Sequence, residues 1–410
     1  MIRNFIYRLL ERRHYWRDLS LTEMSELYAS RLLRTLAISM VNIFIAIYLY
    51  QYGYGITFIM MYFCGYFLLR VMLAWPSAFF VARIGPKRTT FISNILYVPA
   101  LLLFAVVPTH GLDAVIGAAV FQAVSVALYD ISYLVGFSKV RNDENTGKEL
   151  GYMHMLEQFA KGISPVVGGF TALWFGPQAT LILASITFAL AALPLFATPE
   201  PVKTHQKITF RGLQFKRIWG TVVAETTVGF DFVASGVMWS LLIALTVFGT
   251  SSNVIYAELG VLSSITIIMG VVAAKIFGLL VDKHRSRELL QTGVTADSVT
   301  HLLRLFAATP FSVLMINILN EAATTAYALP LTKALFAQAD DLPGYRIAYM
   351  TVVSASAAFG AALFCSIIAL ISMTTDGVSA LRIGYGIIAV CVFGLFLNRL
   401  PALRKRGFFR

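Results

Sequence analysis

Long apolar runs alternate with short polar breaks along the whole chain. A helix that crosses a bilayer needs roughly 20 apolar residues, and runs of that kind lie near 35–52, 56–82, 89–108, 112–138, 150–174, 178–198, 218–248, 256–282, 288–308, 309–336, 346–373 and 378–398. The ninth run, LLQTGVTADSVTHLLRLFAA, is the most polar. The pattern predicts an all-α integral membrane protein with twelve transmembrane helices. The longest polar interruption, PEPVKTHQKITFRGLQFKR at 199–217, divides the chain near its middle. The expected organisation is therefore an amphipathic N-terminal segment at 1–34, a six-helix half at 35–198, a linker at 199–217, a second six-helix half at 218–398 and a basic tail at 399–410. In SLTEMSEL, Thr22 followed by Ser25 and Glu26 has the look of a capping box and predicts a short surface helix before the first span.

Composition narrows the class. Of 410 residues, 58% are hydrophobic and 13% charged, whereas soluble domains carry about 25% charged residues. So few charges could not cover that apolar surface in water. The net charge of +12 would suggest nucleic acid in a soluble protein, but the basic residues sit in the breaks between runs, so the charge reads as topology rather than nucleic-acid binding. If both termini are cytoplasmic, the inner segments hold 27 of the 33 Lys and Arg. The outer links QYGYG, PTHG, FGPQ, FGTSSN and TTDG hold none. This asymmetry predicts both ends in the cytoplasm, an even number of spans, and a multi-pass protein of the cell membrane. Cys64, Cys365 and Cys391 lie inside apolar runs without metal-ligand spacing. No cofactor and no metal are expected, and a monomer is.

The chain also carries an internal repeat. AFFVARIGPKR (78–88) follows the second run and GLLVDKHRSR (278–287) follows the eighth, an offset of 200 residues. Two basic loops at matched positions suggest a duplicated six-helix unit. With twelve spans and a central loop, the sequence resembles the major facilitator superfamily over essentially its whole length. The family's loop pattern is Gly-x-x-x-Asp-Arg/Lys-x-Gly-Arg-Arg/Lys. The first copy keeps Arg83, Gly85 and Lys87 but has Ala78 and Ala82; the second keeps Gly278, Asp282, Lys283 and Arg287. The resemblance implies a gating loop built from Arg83, Lys87, Asp282, Lys283 and Arg287, with Asp130 as the expected partner of Arg83 or Lys87. GISPVVGG (162–169) is similar to a signature associated with antiporters, but its small residues read first as helix packing. Ala119 stands where proton–drug antiporters of the family carry an Arg.

Polar residues inside the runs are the functional candidates, because intramembrane charge is costly. Helical spacing groups Asn317, Asn320, Glu321 and Thr324 on one face of run ten and Thr227, Asp231 and Ser235 on one face of run seven. Gln122, Ser125 and Tyr129 share a face of run four, and Ser39 and Asn42 a face of run one. By the resemblance, runs one, four, seven and ten line a central cavity. Burial near mid-span favours the neutral form of a carboxylic acid, which makes Asp231 or Glu321 the expected proton-coupling group. Arg70, mid-run two, needs an anionic partner or an anionic substrate group. Glu157 and Lys161 are spaced to neutralise each other. Asp297, His301 and Arg304 form a charged stripe on run nine whose role the spacing leaves open. The expectation is a secondary active transporter of a small molecule, proton-coupled, with the lipid bilayer as its surroundings. A lipid flippase and a transport-dead sensor are the alternatives. An enzyme is not expected: there is no His-Glu-x-x-His helix, no Ser/His pair at one depth and no phosphate-binding Gly-x-x-x-x-Gly-Lys loop.

Overall fold

The computed structural model describes residues 21–140, 146–196, 208–210, 212–213, 215–250, 252–282, 286–342 and 344–397. These form twelve helical rods and, among the described residues, no strand. They are α1 (Leu21–Gln51), α2 (Ile56–Ile84), α3 (Pro86–Ala105), α4 (Val107–Val140), α5 (Thr146–Phe175), α6 (Pro177–Phe196), α7 (Phe215–Phe248), α8 (Val254–Asp282), α9 (Ser286–Arg304), α10 (Pro310–Asp340), α11 (Arg346–Thr374) and α12 (Gly377–Leu397). Nine of the twelve, all but α5, α9 and α10, are long and apolar enough to cross a membrane. The corners follow from local chemistry. Pro86, Pro177 and Pro310 each open a helix, where the missing N–H costs nothing. Before the first two stand Gly85 and Gly176 at φ 103° and 88°, a region other residues avoid.

The helix contacts reveal the architecture. In the first six helices, α1 packs on α5 and α6, α2 on α4, and α3 on α4 and α6. In the second six, α7 packs on α11 and α12, α8 on α10, and α9 on α10 and α12. Advancing each first-set helix by six reproduces the second set. The same shift exchanges the two main contacts between the sets, α2–α11 and α5–α8. A duplicated six-helix unit with a pseudo-twofold axis gives this pattern.

Glycines allow the closest approaches. A Cβ at Gly169 would lie 2.3 Å from the Tyr256 carbonyl oxygen, and one at Gly260 would lie 2.3 Å from that of Pro165. The pair lets α5 and α8 meet backbone to backbone, as small residues do in membranes. Gly229 and Gly360 do the same for α7 and α11, each meeting a carbonyl oxygen at 2.0 Å. The GISPVVGG segment is thus a packing surface. The outer faces carry exposed apolar side chains such as Met72, Trp174, Phe306 and Val390, as a lipid-facing bundle requires.

One expectation changes. No separate surface helix precedes the first span: α1 runs unbroken from Leu21. Glu26, Arg31 and Arg34 fit inside the bundle because each finds a partner there, described below. The described end of the linker is docked on the helices. Phe210 sits with its ring 4.1 Å from Trp75 and 6.0 Å from Phe79, and Leu213 packs with Phe336 and Tyr349. The side chains of Thr22 and Ser25, residues 1–20 and the tail 399–410 lie outside the description.

Candidate functional site

A cavity of about 610 Å³ lies between the two six-helix sets. The first set contributes Asn42 from α1, Arg70 from α2, Tyr97 from α3, and Gln122 and Asp130 from α4. The second contributes Ser235, Trp239 and Ser240 from α7, Ser263 and Thr266 from α8, Arg304 from α9, and Asn317, Asn320 and Glu321 from α10. Phe63, Phe67, Phe232, Leu259 and Ile267 complete an apolar wall. Each set therefore gives the cavity one arginine and one carboxylate.

Within the first set, Arg70 donates to Asp130. Gln122 accepts from Tyr62 at 3.1 Å and donates to Tyr97 at 2.8 Å. Asn42 is exposed into the cavity. Tyr129, although on the Gln122 face of α4, lies beyond the cavity. Seven residues of helix advance it by about 10 Å, where it accepts from Arg31 at 2.8 Å and stacks against Arg34 at 3.6 Å. Ser125 instead bonds Ser93 of α3.

Asp130 was expected to meet Arg83 or Lys87; it meets Arg70 instead, because both project from the facing surfaces of α2 and α4. Lys87 is buried and donates to Glu26 at 2.6 Å. Arg83 is exposed and makes no ion pair among the described residues. Arg287 is exposed too, and the side chains of Asp282 and Lys283 lie outside the description. Glu157 takes Arg31 rather than Lys161 as its partner, since α1 and α5 pack together there.

The second set holds a buried polar network directly behind the cavity wall. Asp231 is 3% exposed. It accepts from Ser235 at 2.8 Å, from the Tyr327 hydroxyl, and faces His301 Nε2 at 3.1 Å. His301 Nε2 is also 3.4 Å from Asp297. Arg304 donates to Ser235 at 3.0 Å and to His301 Nδ1 at 3.0 Å, and its guanidinium lies over the Trp239 and Tyr385 rings. A guanidinium has no acceptor lone pair, so Nδ1 must be the acceptor in that contact. The imidazole proton then resides on Nε2, the nitrogen near the two carboxylates, which makes no hydrogen bond to either. Asp231, Asp297 and His301 bring three ligand atoms within 4.8 Å of one another. In this tautomer, though, the imidazole offers no free lone pair to a metal.

The sequence expectation that Asp231 lines the cavity is corrected. Ser235, one turn on, lines it, while Asp231 faces α9, α10 and α12. The two still share one face, joined by the Ser235–Asp231 hydrogen bond, and α7 widens to a π-helix just beyond Asp231, at Ala234–Met238. The Ala234 carbonyl in this segment accepts from the Tyr385 hydroxyl at 2.9 Å. Such π segments recur at functional sites. Glu321 does line the cavity, held by Gln158 of α5 at 3.0 Å, and Gly270 of α8 makes room for it. Asn320 meets Ser235 at 3.4 Å, and Asn317 accepts from Trp239 Nε1 at 2.6 Å. The stripe on α9 was the residue set that spacing could locate but not explain; it faces inward and completes the network around Asp231.

At one end of the cavity the two sets are tied. Gln51 donates to the Thr250 carbonyl at 3.1 Å and accepts from Tyr256 at 2.6 Å, and Thr57 and Ser372 share a hydrogen bond of 2.9 Å. At the other end, Tyr28, Tyr133 and Leu134 pack against the cluster formed by Ile218, Phe336 and Met350.

This fold and cavity define a polytopic α-helical membrane protein built around a polar central chamber. The family model for the major facilitator superfamily matches residues 27–318, and the chain belongs to that superfamily. Its fold is similar to a POT family transporter crystallised in complex with 5-aminolevulinic acid, with a TM-score of 0.70 at 12% identity, covering 93% of this chain and 97% of that one. It is also similar to the E. coli fucose:proton symporter FucP, with a TM-score of 0.63 at 14% identity, covering 92% and 99%. FucP in its outward conformation gives 0.62 at 13% identity, covering 92% and 97%. No curated protein matches the chain in sequence.

Proposed function

We propose that this protein is a proton-coupled secondary active transporter that moves a small molecule by alternating access. The observation that carries the reading is the cavity itself: about 610 Å³, lined by both six-helix sets, with one arginine and one carboxylate from each. A binding site shared by two bodies is exposed to either side as those bodies rock. The halves 35–198 and 218–398 are the moving bodies, and 199–217 is the tether between them. The glycine-mediated contacts of α5 with α8 are one surface on which they roll. The hydrogen bonds of Gln51 and Thr57 across the halves act as a latch that must break when that end opens. Both termini face the cytoplasm of the cell membrane, following the Lys and Arg distribution. The similarity to a fucose:proton symporter supports coupling to protons.

Purified protein reconstituted in proteoliposomes tests this. Currents on a solid-supported membrane are recorded as sugars, amino acids, carboxylates and peptides are applied under an imposed pH gradient. The expected result is a gradient-dependent current for one solute class that Arg70→Gln and Glu321→Gln abolish. A folded protein giving no solute-driven current across the panel would overturn the reading.

A further inference from the structure

We propose that Arg304 binds the negative charge of the substrate, and that its departure from His301 couples an organic carboxylate to a proton. The inference rests on the transporter reading above and names the substrate class for the same cavity.

Two arginines stand on the cavity wall, Arg304 buried and Arg70 half-buried, and they are not equivalent. Arg70 has a carboxylate partner, Asp130. Arg304, 1% exposed, touches only neutral groups: Ser235, the unprotonated Nδ1 of His301, and the faces of Trp239 and Tyr385. Among the described residues no carboxylate lies within ion-pair distance of its guanidinium, and its Nε, like that of Arg70, has no hydrogen-bond partner. A permanent cation held this way is short of one direct counter-ion. The planar guanidinium matches a carboxylate in bidentate geometry, so an organic carboxylate in the cavity supplies what the wall lacks.

The other end of Arg304 explains the coupling. While Arg304 donates to Nδ1, that nitrogen cannot accept a proton. The groups that face the imidazole are Asp297 and Arg304 from its own helix, Asp231 from α7 with the Tyr327 hydroxyl of α10 bound to it, and Tyr385 from α12. Glu321 lies farther off on the cavity wall. Asp231 receives bonds from Ser235 and Tyr327, which suit an ionised carboxylate, whereas both Asp297 oxygens lack a hydrogen-bond donor. Charge balance in so buried a cluster then places one proton on Asp297, beside Asp231 as carboxylate, His301 neutral and Arg304 as cation.

A substrate carboxylate that draws Arg304 to itself frees the Nδ1 lone pair. One proton from water bonds to Nδ1, and the imidazolium between Asp231 and Asp297 offsets the added negative charge. Anion and proton thus enter together, and neither is stable in the cluster alone. Release reverses the step: the anion leaves, Arg304 returns to Nδ1, and the proton departs.

The test uses the full chain in detergent. Titration calorimetry with the sodium salts of benzoate, lactate and succinate, in buffers of different ionisation enthalpy, counts protons taken up on binding. The expected result is saturable binding of at least one carboxylate, with about one proton taken up per carboxylate by linkage. His301→Gln, which keeps a side-chain amide near Asp231, should bind without proton uptake, and Arg304→Gln should lose binding at least tenfold. A second measurement needs no variant to fold. Nitrogen NMR of the ligand-free protein labelled in histidine should show a buried neutral Nε2–H imidazole, which becomes imidazolium on adding the carboxylate. Failure of all three carboxylates to bind, binding without proton uptake, or an imidazolium already present without ligand would each overturn the proposal. None of these would remove a transport current carried by another solute class, so the two readings fail separately.

Discussion

Replacing Asp231 by Ala should be among the most destabilising single changes in the chain, although the residue does not line the cavity. The native carboxylate accepts from Ser235 and Tyr327, and His301 Nε2 lies 3.1 Å from it. Ser235 can turn to Asn320, 3.4 Å away, but the Tyr327 hydroxyl has no other acceptor in the described contacts. An orphaned buried donor costs about 1–3 kcal/mol. Arg304 also loses a nearby negative charge, and breaking buried charge pairing costs about 3–5 kcal/mol when no other partner remains. Here Asp297 can release its proton and restore that charge, so the sum should fall near 3–4 kcal/mol. Asp231→Asn keeps the shape and one acceptor oxygen and should lose roughly half of that. The assay is unfolding of the purified protein in rising SDS, followed by tryptophan fluorescence, with His301→Gln and the double variant completing a cycle. The network predicts a coupling between Asp231 and His301 of about 1–3 kcal/mol. Additive effects, or an Asp231→Ala protein within about 0.5 kcal/mol of wild type, would refute the reasoning.

Other consequences are simpler to measure. Gly169→Leu places a side chain where a Cβ is already 2.3 Å from the Tyr256 carbonyl; it should cost at least 1–3 kcal/mol in the same assay, and Gly65→Leu, which faces open space, should not. Asp130→Asn leaves Arg70 without its counter-ion and should reduce solute-driven current in proteoliposomes more than tenfold, with partial recovery in Asp130→Asn/Arg70→Gln. Asp376 caps α12 by accepting from the Ser379 N–H at 2.9 Å, and hydrogen bonds from Ser379 hold its carboxyl below the ordinary carboxylate range. A lowered pKa stabilises above the unfolded-state value and is lost as pH falls through the folded one. Thermal midpoints should therefore fall on acidification more steeply in wild type than in Asp376→Asn, which keeps the cap without the charge.

The all-α membrane fold was legible because bilayer chemistry writes it directly into the sequence: the apolar runs return as helical rods, nine of them long and apolar enough to cross a membrane. Ion-pair partners were less legible. Arg70 and Asp130 are 60 residues apart, and nothing in either run says that α2 and α4 present them to each other. The α1 boundary was missed for a related reason. Glu26 and Arg31 read as surface charges until Lys87 and Glu157 are seen to partner them inside the bundle. Asp231 and Ser235 do share a face and bond each other, but the cavity reaches only Ser235, a depth that helical spacing does not record. The α9 stripe had a signal, its spacing of four and three residues along one face of the most polar run. Its meaning depended on Asp231, a residue 66 positions earlier in the chain.

Alternating access is the central claim, and distances between the two halves test it most directly. Spin labels at Tyr52→Cys and Asn253→Cys report on the latched end, and labels at Arg83→Cys and Asp341→Cys report on the other, in a background with Cys64, Cys365 and Cys391 replaced by Ser. Pulsed dipolar spectra are recorded across a pH series, with and without a transported solute. The account predicts that one distance lengthens as the other shortens. Two distances that stay fixed, or that lengthen together, would contradict it.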